Sequence, residues 1–168
     1  ITRMDADDRM PKGKLKALFT AIKPGRVIAT GKVQYFSDQG VSRGYRDYEH
    51  WLNELVDLKN HWKMIYRECV IASPNWLVAR ECFERDIPLE TLVYPEDYDM
   101  TLKWYQLGYT VESSAEITHL WREHPDRTSR IVADYQQEAF FNLKTNRFID
   151  YELNEDEPLQ LFGAGTKG

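Results

Sequence analysis

The sequence predicts an α/β protein, because stretches with helical spacing of apolar residues alternate along the chain with β-rich runs. The chain has 168 residues, of which 42% are hydrophobic. That is enough to bury a core, and one domain is the default at this length. Proline and glycine separate the elements and set their order.

Composition and charge exclude several classes of protein. The net charge is −5 and the basic residues are scattered among acidic ones, so the chain lacks the electrostatic footprint of a nucleic-acid-binding protein. Apolar runs are too short for a transmembrane segment and no signal peptide is visible, which predicts a cytoplasmic protein. Cys69 and Cys82 have neither disulfide-framework nor zinc-ligand spacing, and we expect buried reduced thiols.

The first half of the chain predicts helix, strand, loop and helix. A stripe of Leu15, Leu18, Phe19 and Ile22 places a helix over 12–21. After a Pro-Gly stop, residues 26–36 form a β-rich run with a glycine interruption, and 37–44 are a polar loop. Helical spacing returns over 47–58, carried by Tyr48, Trp51, Leu52 and Leu55.

The second half continues the alternation. Residues 76–79 predict a short buried strand, and 79–85 a brief helix. A helix follows Pro95 and ends at Gly108, with carboxylates in its first turn, where the helix dipole stabilises negative charge. Two short strands are predicted at 110–113 and 117–121, and a closing helix at 130–146.

Three groups of charged residues are candidates for chemistry. Asp5 and Asp7 follow an apolar lead-in that reads as a strand end, so both can project to one side as hard oxygen ligands for a divalent cation. They are explained equally well as part of a polar loop before the next helix, whose positive end stabilises their negative charge. Glu96 and Asp97 are ordinary first-turn carboxylates, or a general base if an acceptor hydroxyl comes within reach.

The third group lies at 122–127, where two arginines and a histidine fall within six residues. Arg122 and His124 are suited to diphosphate oxygens or to completing a metal site. A solvated turn accounts for the same residues.

Taken together, the runs RMDADD at 3–8, PEDYD at 95–99 and WREHP at 121–125 resemble three ordered motifs of the bacterial family 2 glycosyltransferases. The resemblance covers residues 1 to about 148. It implies a GT-A fold, an α/β/α sandwich around a mixed, mostly parallel sheet, and a nucleotide-diphosphate sugar as donor.

The resemblance also implies roles for single residues. Asp5 and Asp7 match the motif that binds Mg²⁺ or Mn²⁺ and the donor diphosphate, and Arg3 is a weaker match beside them. Asp97 matches the catalytic base, with Glu96 orienting the acceptor or the base. Arg122 and His124 match a motif that lies near the donor diphosphate.

The activity implied is inverting transfer to a saccharide or lipid-linked acceptor, in the synthesis of cell-surface polysaccharide or glycoconjugate. Asp97 would take the acceptor proton during attack on the anomeric carbon, with no covalent sugar intermediate. The implied location is the cytoplasm, and peripheral association with the inner face of the membrane fits it.

Both ends of the chain depart from the family pattern. Members of the family place a βαβ segment that grips the base and ribose before the first motif, and nothing here supplies it. We therefore expect residues 1–168 alone to be inactive. The transferase domain is predicted over 1–150 and a linker over 151–158. Residues 159–168 read as a strand with G-x-G-x-x-G, the start of a truncated Rossmann-like domain, or as a flexible tail.

Two rival functions belong to other classes. A phosphohydrolase of the haloacid dehalogenase type also begins with Asp-x-Asp on a strand end, although its motif usually continues to Thr or Val rather than to Asp8-Arg9. A non-catalytic glycosyltransferase-like binding module is the other rival. An EF-hand loop fails because Met10 occupies the glycine position.

Overall fold

The computed structural model describes residues 1–87, 92–125, 137–154 and 160, and within them the chain is α/β. Five α-helices and three strands lie in these residues, together with a short 3-10 helix at His61–Met64. In chain order they are α1 (Lys14–Ala21), β1 (Val27–Phe36), α2 (Arg43–Leu58), β2 (Trp76–Val78), α3 (Arg80–Asp86), α4 (Glu96–Gln106), β3 (Thr110–Arg122) and α5 (Gln137–Tyr151).

The sheet has the order β2-β1-β3, with β1 in the middle. β1 pairs antiparallel with β2 and parallel with β3. The predicted mixed sheet is therefore confirmed, but one of the two described strand pairs is antiparallel, so the described sheet is not mostly parallel. The strand predicted at 76–79 and the brief helix after it are both present.

The prediction of two short strands at 110–113 and 117–121 is wrong, because β3 is one strand of 13 residues. Its register against β1 shifts where Gly31 pairs with Ser114 and Lys32 pairs with Ile117. The extra residues form an irregularity that bends the strand without ending it. A Cβ on Gly31 would lie 2.5 Å from Oγ1 of Thr118, so glycine lets the two strands approach here.

Helix α2 covers the edge of β1 beyond the short strand β2. Asn53 accepts a hydrogen bond from the Val33 amide and donates one to its carbonyl, each at 2.9 Å, and Glu49 accepts the amide of Tyr35. These side chains replace a neighbouring strand, which satisfies backbone groups that an open edge would expose. The helix begins at Arg43, a turn earlier than predicted.

Helix α1 is present as predicted, but only part of its apolar stripe is buried. Leu18 is fully buried, whereas Leu15 is 48% and Phe19 74% exposed. The core instead joins the sheet to α2, α3, α4 and the segment around 69–72. Leu18 and the stem of the buried Lys14 are what α1 contributes to the interior.

Helix α4 starts after Pro95 and ends before Gly108, whose φ of 73° suits glycine at a helix C-terminus, so both predicted boundaries are confirmed. Within α4, the buried carboxylate of Asp99 accepts hydrogen bonds of 2.6 and 3.0 Å from Arg147 of α5. This pair fastens the closing helix to α4. The predicted helix at 130–146 is described from 137 and continues to 151, the first residue of the predicted linker. Residues 130–136, the second half of that linker (155–158) and all but one residue of 159–168 lie outside the described residues.

Candidate functional site

A cavity of about 810 Å³ opens where the N-terminal loop, the end of β1, the start of α2, the start of α4 and the end of β3 meet. All of the residues that the sequence singled out as candidate catalytic, diphosphate-binding and metal-binding groups line this cavity: Arg3, Asp5, Asp7, Glu96, Asp97, Arg122 and His124. They come from three segments that are far apart in the chain.

The loop that carries Asp5 and Asp7 is held on both sides by the sheet. Before it, Thr2 forms an antiparallel bridge with Leu77, and after it Arg9 bridges Leu120. Between the bridges the chain turns, with the Asp8 amide 3.3 Å from the carbonyl of Asp5. The two bridges fix a short acidic loop at the edge of the cavity.

Asp8 anchors this loop from behind and does not line the cavity. Its buried carboxylate lies 2.8 Å from Nε2 of His119 and accepts the Arg122 amide at 2.8 Å. Nζ of Lys14 lies 3.2 Å from the other ring nitrogen of His119 and donates to the Pro74 carbonyl at 2.7 Å. Burial lowers the pKa of Lys14 to about 8, and the charges of Asp8 and Asp5 oppose that shift. The sequence analysis did not find His119 or Lys14.

Basic side chains contact the acidic loop on two sides. Nε2 of His124 lies 3.0 Å from the carboxylate of Asp7, and Nε of Arg122 donates to the Asp7 carbonyl at 2.9 Å. On the other side, Arg3 is 3.2 Å from Asp5 and 3.3 Å from Glu96. Arg3 therefore joins the acidic loop to the first turn of α4.

These contacts decide how well a divalent cation would fit. Among the described residues no group of three or more His, Cys, Asp and Glu side chains is arranged as a complete metal site. Asp5 and Asp7 are carboxylates with side chains 31% and 48% exposed. Each carboxylate already has a basic partner, Arg3 for Asp5 and His124 for Asp7, so a divalent cation here would share these oxygens and take its remaining ligands from phosphate and water.

Asp97 occupies a different environment from the loop carboxylates. Its side chain keeps partial exposure, yet protein surrounds it, and one oxygen accepts the Tyr98 amide at 2.8 Å. Burial raises the pKa of Asp97 to about 6, and the neighbouring charge of Glu96 adds to that rise. With a pKa of about 6 the carboxylate is mostly ionised at neutral pH, and the ionised form is the one that can accept a proton.

An aromatic wall, which the sequence analysis did not identify, lines the same cavity. It consists of Tyr35, Tyr45, Tyr48 and Trp121. Tyr35 and Trp121 are stacked, with ring centroids 5.0 Å apart and planes 10° apart. The available signal was the spacing of Tyr45 and Tyr48, which places both on one face of α2. Only the role of Tyr48 in a helix stripe was predicted.

The fold and the cavity define an α/β protein with a site that combines carboxylates, cationic side chains and aromatic rings. Comparison with protein families, curated proteins and solved structures finds no match to this chain. In the parts of the chain that the structure describes, no helix has the length and apolar character needed to cross a membrane.

Proposed function

We propose that this protein is a metal-dependent family 2 glycosyltransferase of GT-A type, which transfers a sugar from a nucleotide-diphosphate sugar to an acceptor hydroxyl with inversion. The supporting observation is that three motifs from distant parts of the chain line one cavity, with an acidic loop on one side and a partly buried carboxylate on another. In this proposal the protein acts in the cytoplasm or at the inner membrane face, in the synthesis of cell-surface polysaccharide or glycoconjugate.

Asp97 is the base in this proposal. Its pKa of about 6 lies close to neutral pH, where a general base combines an ionised carboxylate with useful basicity. Glu96 pairs with Arg3, and its charge contributes to the raised pKa of Asp97. The acceptor hydroxyl gives its proton to Asp97 as its oxygen attacks the anomeric carbon.

The donor diphosphate belongs at the other side of the cavity. Arg122 and His124 place two cationic or hydrogen-bonding groups beside the loop, and Arg3 keeps further N–H groups besides the two that bind Asp5 and Glu96. Mg²⁺ or Mn²⁺ held by Asp5 and Asp7 would neutralise charge on the departing diphosphate.

Calorimetric titration of the protein with inorganic pyrophosphate, with Mn²⁺ or with chelator, tests the diphosphate site. We expect Mn²⁺-dependent binding that Asp7→Asn weakens by at least about tenfold, or about 1.4 kcal/mol. Asp57→Asn is the matched control, because Asp57 pairs with Lys32 outside the cavity lining.

Equal affinities in Asp7→Asn and the wild type would contradict the proposed metal ligand. The same samples distinguish the phosphohydrolase: steady release of phosphate from p-nitrophenyl phosphate, lost in Asp5→Asn, would favour a haloacid dehalogenase-type enzyme instead.

A further inference from the structure

Two tyrosines at the start of α2 have no part in the roles assigned so far. Tyr45 and Tyr48 are three positions apart in the sequence, so they lie on one face of the helix. Both line the cavity and both are only partly buried. They are aromatic surface inside a cavity that otherwise presents many charged groups.

The two rings are supported from behind by other aromatic residues. The ring of Tyr45 lies 5.0 Å from that of Tyr35, which stacks on Trp121. The ring of Tyr48 stacks on Trp51 at 5.7 Å. Contacts of this kind hold the rings in fixed orientations, so a ligand that lies against them meets a preorganised surface.

A short series of contacts ties this surface to the proposed base. The hydroxyl of Tyr48 donates to the Cys69 carbonyl at 2.7 Å, and Sγ of Cys69 lies 3.6 Å from Oγ1 of Thr101. That hydroxyl of Thr101 donates to the carbonyl of Asp97 at 2.8 Å. The aromatic surface and the backbone of Asp97 are therefore linked through Cys69 and Thr101.

A pyranose ring matches this combination of groups. It presents an apolar face of C–H groups and an edge of hydroxyls, and aromatic rings cover the first while carboxylates accept hydrogen bonds from the second. We propose that Tyr45 and Tyr48 form the acceptor subsite, where a pyranose ring of the acceptor stacks and turns a hydroxyl toward Asp97. The direction of that hydroxyl rests on the proposed function, whereas binding of the ring does not.

Saturation-transfer NMR with methyl β-glucoside and methyl β-galactoside tests the subsite, with glycerol as a polyol without a ring. We expect at least one pyranoside to bind, with the strongest saturation on C–H protons of one ring face. Tyr45→Ala should weaken binding by about tenfold, from loss of about 60 Å² of apolar contact at about 25 cal/mol/Å². Tyr45→Phe should remain within about twofold, because the ring carries the contact.

Tyr151→Ala is the matched control, since Tyr151 is exposed on α5 outside the cavity lining. Equal pyranoside affinity in Tyr45→Ala and the wild type would overturn the subsite, and so would failure of both pyranosides to bind. Pyrophosphate binding in the same samples separates the two proposals. A wild-type protein that binds a pyranoside but not pyrophosphate would count against the proposed transferase, while the proposed saccharide subsite would be retained.

Discussion

Asp97 is a carboxylate whose surroundings in the folded protein disfavour its charge. A carboxylate in this position loses solvent and faces the charge of Glu96, and burial is the main reason why its pKa rises to about 6. The hydrogen bond from the Tyr98 amide and the charge of Arg3 offset part of that rise. Folding therefore makes ionisation of Asp97 less favourable than it is in the unfolded chain, although the ionised form still predominates at pH 7.

We predict that Asp97→Asn makes the protein more stable at pH 7.5 and equally stable near pH 4. The unfolded carboxyl has a pKa near 3.9, so between about pH 4 and 6 the folded state binds more protons than the unfolded state. Stability then falls as the pH rises through that window, and asparagine removes this loss. Calorimetric melting should show a higher Tm for the variant at pH 7.5, by about 2–4 °C for each kcal/mol. An unchanged or lower Tm at pH 7.5 would contradict this account.

At the residue scale, the candidates named from the sequence line one cavity, whereas the residues that support the acidic loop were not predicted. Asp5 and Asp7 were candidates because they follow an apolar lead-in, and Asp97 because it stands in the first turn of a helix. The strand end predicted before Asp5 is only an isolated bridge at Thr2 in the structure. Lys14 and His119 were not predicted, because the contacts of His119 with Lys14 and with Asp8 each join residues more than a hundred positions apart. No local pattern encodes such a contact.

At the scale of elements, the close approach of β1 and β3 depends on Gly31. Thr118 is held there by a hydrogen bond of 2.8 Å to Asn75, so its side chain cannot move away freely. We predict that Gly31→Ala destabilises the protein by about 1–3 kcal/mol, the usual cost of overpacking. Urea unfolding measures the effect.

Gly44→Ala is the matched control for that substitution. Gly44 lies in α2 with open space around it, and alanine is better than glycine in a helix by about 0.5–1 kcal/mol. The control should therefore be neutral or stabilising. A Gly31→Ala variant as stable as the wild type would show that the strands separate at little cost.

The second element-scale prediction concerns α1, whose buried face is narrower than its apolar stripe. Leu18→Ala should cost about 2–5 kcal/mol, because Leu18 is fully buried. Phe19→Ala should change the free energy of unfolding by no more than about 0.5 kcal/mol. Urea unfolding of the two variants gives the comparison, and similar losses in both would mean that Phe19 is covered in solution.

Elements whose ends are marked by proline or glycine could be predicted from the sequence. Elements whose extent depends on contacts with distant residues could not. Proline before α4 and glycine after it mark both ends, and both signals act within a few residues. β3 was divided in two because the polar run at 113–116 reads as a break, although parallel pairing with β1 carries the strand through it. The exposed side of α1 could not be predicted, because helical spacing shows which residues share a face but not whether that face is covered.

For the molecule as a whole, the arrangement places binding and chemistry in one cavity. The acidic loop stands between two bridges to the sheet, α4 carries Asp97, and Arg3 joins the two. Positioning of this kind supplies several kcal/mol of the reduction in a barrier when both reactants are held. The central claim is that this cavity transfers a sugar with Asp97 as the base.

The most direct measurement is sugar transfer from a panel of nucleotide sugars by the full-length protein, compared between the wild type, Asp97→Asn and the control Asp57→Asn. We predict transfer with inverted anomeric configuration in the wild type and the control. Asp97→Asn should lose about 10²- to 10⁴-fold in rate, while Mn²⁺-dependent pyrophosphate binding stays within a few-fold of the wild type. Turnover by Asp97→Asn close to the wild-type rate, or a product of retained configuration, would contradict the claim.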